Sequence, residues 1–214
     1  TGNLGGYTVL NRVIPSTASR TIAPNGTITS ELRNAQGATT GIGGNIWFYA
    51  PGGILIGSGA SIDVGGLALS TAYIGFAAPG SPTTGLVATA PSDVGRTIRI
   101  ESGDINATNY VGVLAPKIEQ VGEINSLGSV AYVAAEQANL IFSQGLFDIS
   151  VSAGTDVEAA LTHGGITNVV ADGSGEQRAI YLVAVPKNQA LTMLLGEGTL
   201  DFTIAGGAEA NDQG

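Results

Sequence analysis

The chain has 214 residues, including 33 glycines and no cysteine, and a formal net charge of −9 from eight Lys and Arg against 17 Asp and Glu. That length supports one domain, residues 1–214, with a substantial core, and the lack of cysteine excludes disulfides and thiolate metal sites. So few cations leave no basic patch to neutralise phosphates, which argues against nucleic acid and anionic membrane surfaces as partners.

Glycine at about twice its usual frequency, charged residues at about half of theirs and many β-branched residues suit close turns around apolar strands. No apolar run approaches the roughly 18 residues of a spanning helix. Thr1 stands without a methionine or a basic leader, as in a processed or excerpted chain.

Residues 1–36 alternate short strands, such as Tyr7-Thr8-Val9-Leu10, with turns at Pro15, Pro24 and Asn25-Gly26, and read as an entry or cap region. Residues 37–76 hold short apolar runs cut by glycine turns, with no room for a helix. In residues 77–95 the composition shifts to Pro, Gly, Ser and Thr, with Pro79, Pro82 and Pro91. This predicts a loop that leaves the stack and supplies no regular ladder.

The register resumes over residues 96–205. In Thr97-Ile98-Arg99-Ile100-Glu101 the isoleucines share one face and the charges the other. The pattern returns in Phe147-Asp148-Ile149-Ser150-Val151 and in Leu200-Asp201-Phe202-Thr203-Ile204, which are expected to occupy matching places. Residues 155–177 contain the one helix-prone run, Val157-Glu158-Ala159-Ala160-Leu161, and read as a lateral insertion carried on a rigid scaffold.

Internal comparison aligns Val111-Gly112-Val113-Leu114-Ala115-Pro116 with Val130–Ala135 about nineteen residues on, and both with Ile180–Val185 and Ile46–Pro51. Spacing of about twenty residues is near that of one coil of a solenoid whose repeats bury their apolar faces on one another. The fold class read from this is all-β, a right-handed parallel β-helix with extra-helical loops or hairpins. A β-sandwich also shows alternation and regular turns, but its hairpin partners need complementary faces, whereas these segments resemble each other.

Candidate chemistry is sparse. Asp63, Asp104, Asp148, Asp156, Asp172 and Asp201 are scattered singly, as solvated faces and turn caps would be, and no carboxylate pair for glycoside hydrolysis stands out. His163 is the only histidine, so a multi-histidine metal site is excluded, and its glycine-flanked setting reads as a solvated loop. Gly57-Ser58-Gly59 is too short for a nucleophile elbow, and Gly41–Gly44 precedes no helix that could cradle a phosphate. Asp172–Glu176 reads as a generic turn, not a calcium repeat. Trp47-Phe48-Tyr49 either stacks on sugars or packs between the core and a covering hairpin, and packing is the favoured reading. No catalytic residue, metal or cofactor is expected.

One region also carries a family resemblance. Ala50-Pro51-Gly52-Gly53-Ile54 followed by Asp63-Val64-Gly65-Gly66-Leu67 resembles the Asn-Pro-Asn-Gly-Ile turn and the glycine-rich strand end of two-partner secretion exoproteins, the filamentous haemagglutinin-like adhesins. Upstream, Leu10-Asn11-Arg12-Val13 resembles the family's Asn-x-Val segment, and Asn25-Gly26-Thr27-Ile28 its next turn and strand. Ala50 and Gly52 stand where the family has asparagines, and the family's earlier strands have no counterpart before Thr1. The resemblance implies a non-enzymatic segment of a secreted or bacterial surface exoprotein, with Asn11, Arg12, Val13, Pro51, Gly52, Gly53, Ile54, Val64, Gly65 and Gly66 as secretion-motif residues. It further implies an outer-membrane transporter as partner, and adhesion to host or cell-surface glycans or proteins, or self-association into a surface fibre. The alternatives are a structural β-helical subunit of an extracellular filament or sheath, and a polysaccharide-active β-helix enzyme.

Overall fold

The computed structural model describes residues 7–17, 19–76, 84–93, 95–101, 103–170, 176–187, 193–195 and 198–203. Runs of β-branched and aromatic residues stopped by glycine and proline favour extended backbone, and the described residues form strands and no helix. The first eight are β1 (Thr8–Arg12), β2 (Thr27–Thr29), β3 (Glu31–Arg33), β4 (Thr39–Ile42), β5 (Asn45–Tyr49), β6 (Ile54–Ile56), β7 (Ser61–Ser70) and β8 (Tyr73–Phe76). Next come β9 (Thr84–Ala90), β10 (Thr97–Ile100), β11 (Ile105–Ala115), β12 (Lys117–Gln120), β13 (Glu123–Ser126), β14 (Val130–Ala134), β15 (Gln137–Ser143) and β16 (Leu146–Ala153). The last are β17 (Leu161–His163), β18 (Ile166–Val170), β19 (Ile180–Ala184), β20 (Met193–Leu195) and β21 (Thr199–Thr203).

Parallel pairing arranges most of these in three ladders. The first contains β1, β5, the end of β7, the end of β11, β14 and β19, with Val9, Ile46, Leu67, Val111, Val130 and Ile180 in one register column. The second runs from an isolated bridge at Ile22 through β6, β10, β12, β17 and β20, and aligns Ile22, Ile54, Ile98, Ile118, Leu161 and Met193. The third joins β2, the start of β7, the start of β11, β13, β18 and β21, and aligns Thr29, Asp63, Asn106, Asn125, Asn168 and Asp201. Along the chain the ladders recur in the order first, second, third.

The four aligned segments read from the sequence thus share one ladder, and Leu67–Ser70 supplies a further member between Ile46 and Val111. Their inward side chains, including Leu67, Leu69, Val111, Val113 and Val130, join the isoleucines of the other two ladders in one core. Their outward side chains, including Trp47, Ala68, Leu114 and Val133, are buried as well. They lie beneath an antiparallel sheet of β8, β9, β15 and β16 that contributes Ile74, Leu86, Leu140 and Phe147. Burial on both faces explains why this ladder reads as nearly unbroken apolar sequence.

Three expectations need correction. Thr97–Ile100 alternates as predicted, with Ile98 and Ile100 fully buried, but Phe147–Val151 lies in antiparallel β16 and Leu200–Thr203 in the third ladder. The three segments therefore do not hold matching places, because alternation identifies a half-buried strand without naming its sheet. Of residues 155–177, 171–175 lie outside the described residues, and 155–170 do not leave the stack: the helix-prone run forms a turn leading into β17, Ala160 and Leu161 are fully buried in the core, and β17 and β18 join the second and third ladders. Burial there overrides helix propensity, which is worth only tenths of a kcal/mol per residue. Within residues 77–95, 77–83 and 94 lie outside the described residues, but Thr84–Ala90 is a regular strand paired with β8 and β15. Thr84–Ala90 stands outside the parallel ladders and supplies a ladder of its own.

Candidate functional site

Two groups of the candidate residues meet at one corner. β1 lies in register on β5, where Asn11 Nδ2 donates to the Trp47 carbonyl at 3.3 Å and the Val13 N–H to the Tyr49 carbonyl at 2.9 Å. Arg12 points outward, donating to the Tyr73 hydroxyl at 2.6 Å and the Ile74 carbonyl at 3.1 Å, with its guanidinium carbon 4.8 Å from the Tyr73 ring centre. It ties the first ladder to the covering sheet.

Beyond Tyr49 the chain reverses at residues 50–53, with the Gly53 N–H donating to the Ala50 carbonyl at 3.2 Å. Gly53 has φ of +111°, a conformation costly for any residue with a Cβ. A Cβ on Gly52 would collide with the Arg20 carbonyl oxygen. This close approach gives a physical reason for glycine where the resembled family has asparagine. The Thr21 hydroxyl donates to the Gly52 carbonyl at 3.2 Å and the Ile22 N–H to the Gly53 carbonyl at 3.0 Å. Ile54 then enters the core. Beside this turn, Val13, Pro15 and Arg20–Ala23 line an open groove of about 440 Å³.

Val64, Gly65 and Gly66 sit elsewhere, where β7 passes from the third ladder to the first. Val64 is fully buried, and the Gly65 N–H donates to the Gly44 carbonyl at 3.1 Å. A Cβ on Gly66 would stand 2.6 Å from Tyr110 Cζ, so glycine here lets the Tyr110 ring lie across the backbone. The Tyr110 hydroxyl accepts from Trp47 Nε1 at 2.8 Å, and burial pushes its pKa up, keeping it protonated. Asn11–Val13 bond the end of β5, and Pro51–Ile54 follow it in the chain and bond Thr21 and Ile22, whereas Val64–Gly66 lie further along β7, with Gly65 bonded to Gly44.

The aromatic run packs as favoured. Trp47 is 2% exposed and Tyr49 is buried, both facing the covering sheet, while Phe48 packs against the inner core. The solvated reading of His163 is corrected: it is 1% exposed, with Nε2 2.9 Å from Thr167 Oγ1, which lies 2.7 Å from the Tyr132 hydroxyl. Burial lowers the His163 pKa. Its column holds Ile56, Ile100 and Gln120, and Gln120 satisfies the backbone of Gly122, Gly165 and Ile166. Loop-like glycine flanks disguised an inward position that the hydrogen bond to Thr167 makes tolerable.

On the outer face of the second ladder, Arg99 bridges Glu101 and Glu119 at 2.6 Å each, and Lys117 reaches Glu119 at 2.6 Å. The hydrogen bonds from Lys117 and Arg99 hold the Glu119 carboxyl below its usual pKa. Among the described residues no three His, Asp or Glu side chains gather as a metal site would require. The sequence reading missed the outer column of the third ladder, where Asp63, Asn106, Asn125, Asn168 and Asp201 align. Their irregular spacing in sequence hides that column.

Fold and site together define an all-β chain of parallel ladders, one of them covered by antiparallel strands. No family model, curated protein or solved structure matches the chain.

Proposed function

We propose that the three ladders are the faces of one right-handed parallel β-helix, and that the chain is a non-enzymatic segment of a secreted or surface-displayed bacterial exoprotein. Its export runs through an outer-membrane transporter of the two-partner type, and its role outside is adhesion or surface-fibre formation. The recurring ladder order supports the helix, and the near-universal right hand of parallel crossovers supports its handedness. The antiparallel β3–β4 pair and the covering sheet are then extra-helical hairpins.

The observation that carries the export reading is the corner of Asn11–Val13 and Pro51–Ile54. Of residues singled out by resemblance alone, Val13 lines an open groove, and Gly52 and Gly53, forty positions on, hydrogen-bond its lining residues Thr21 and Ile22. Export without nucleotide energy also fits this architecture, since each coil added outside the cell buries apolar surface and completes a backbone ladder.

The test is export of variants from cells carrying the transporter. Gly53→Val and Ile54→Asp should fail to reach the surface or medium. Ile14→Asp, at a position 63% exposed beside the corner, should reduce export while leaving the fold intact by circular dichroism. Normal secretion of all three would defeat the assignment.

A further inference from the structure

The outer face of the third ladder carries a groove of about 190 Å³ next to β4. Its floor is Asp63, Asn106 and Asn125, and its apolar walls are Ile42, Leu127 and Val170, which are 37%, 36% and 36% exposed. We propose that this groove binds an uncharged oligosaccharide lying along the stack.

The hydrogen-bond inventory points to that chemistry. Asn106 Nδ2 is spent on Asp63 at 3.0 Å and Asp104 at 3.1 Å, and Asn125 Nδ2 on Glu123 at 3.1 Å. These bonds fix the amide planes. Among the described residues, the Asn106 side-chain oxygen and the second carboxylate oxygen of Asp63 accept no hydrogen bond. The floor therefore offers acceptors and wants donors, which a sugar supplies densely as hydroxyl groups. A phosphate, sulfate or uronate would bring further acceptors and negative charge to a floor that already holds Asp63. Among the described residues no Lys or Arg lines the groove, and Arg178 donates to the carbonyls of Leu127 at its wall and of Glu176.

Shape and repeat agree. The volume is below the 300–1,000 Å³ of drug-sized pockets and suits a single sugar ring, whose C–H face can rest on the exposed aliphatic walls. Asn106, Asn125 and Asn168 are in register, so the same amide recurs at each strand spacing of about 4.8 Å. That step is close to one ring of an extended sugar chain, so successive rings would meet the open acceptor oxygens of Asp63 and Asn106, which are in register. The Asn168 amide donates to Asn125 Oδ1 at 2.8 Å, which extends the ordered surface beyond the groove. The inference rests on this groove and not on the export reading: of the secretion-motif residues only Val64 borders it, and Val64 is buried.

The asparagine side-chain amides give a site-specific signal in ¹⁵N NMR. The purified chain would be titrated with neutral hexasaccharides of glucose, galactose and mannose in α and β linkages, with polyuronate and heparin fragments as anionic probes. At least one neutral oligosaccharide should shift the Asn106 and Asn125 side-chain amides saturably while the anionic probes do not. Asn106→Ala should weaken binding about tenfold, as for loss of one hydrogen bond of about 1.4 kcal/mol. Val170→Lys, on the exposed wall, should weaken binding with an unchanged backbone spectrum. No shift with any neutral probe, shifts outside the groove, or preference for the anionic probes would overturn the proposal.

Discussion

His163 is a buried group whose ordinary titration range falls near neutral pH. Its folded pKa is lowered by desolvation, and it faces Thr167 and the Tyr132 ring, whose hydroxyl is itself held protonated by burial. The unfolded chain therefore takes up a proton near the ordinary histidine value of about 6.5, while the folded chain resists it. Stability from this residue is full above that value and declines as pH falls below it, by at most about 1.4 kcal/mol per pH unit. Urea unfolding of the wild type and His163→Gln between pH 7.5 and 5.5 should show the steeper decline in the wild type. Equal pH dependence would mean that His163 is solvated. Glycine flanks suggested that solvated state from sequence; the inward register that decides the matter depends on Ile118, Gln120 and Leu161, which only the fold brings alongside.

At the scale of elements, legibility followed strand length and burial. Val111–Ala115, Val130–Ala134 and Ile180–Ala184 resemble one another because each is buried on both faces in the same ladder, and their likeness predicted their pairing. The second ladder was harder to read, since strands of three or four residues such as Ile54–Ile56 and Leu161–His163 are too short to establish a period. The covering sheet was harder still: β9 carries only two large apolar residues, Leu86 and Val87, among Thr, Gly and Ala, and its partner β15 is about fifty residues away in sequence. Phe147 anchors that sheet, with its ring centre 5.9 Å from Tyr110, 5.4 Å from Phe142 and 6.0 Å from Tyr181. Phe147→Ala should cost about 3–5 kcal/mol. Hydrogen exchange should quicken first in β8, β9, β15 and β16, with the second ladder still protected; uniform loss of protection would show that the covering sheet is no separate layer.

Across the whole molecule, one core of inward isoleucines, valines and leucines joins the three ladders among the described residues, and Gln120, His163, Thr167 and Tyr132 add inward polar groups. Spin labels replacing Thr29 and Asp201, both exposed, would span five in-register steps of the third ladder. Their backbones should stand about 24 Å apart at 4.8 Å per step, giving a defined peak near that distance after allowance for the label arms. A distribution without such a peak would contradict a continuous stack.

The resemblance at Asn11–Val13, Pro51–Ile54 and Val64–Gly66 supplied the functional expectation, and the structure adds that the first two groups adjoin. The proposed export by a dedicated transporter is measured directly as the amount of the native polypeptide carrying this chain in the medium and on the surface, with and without the outer-membrane partner. The account predicts that it reaches the outside only when the transporter is present and accumulates in the periplasm otherwise. Equal amounts outside in both cases, or retention inside despite the transporter, would contradict it.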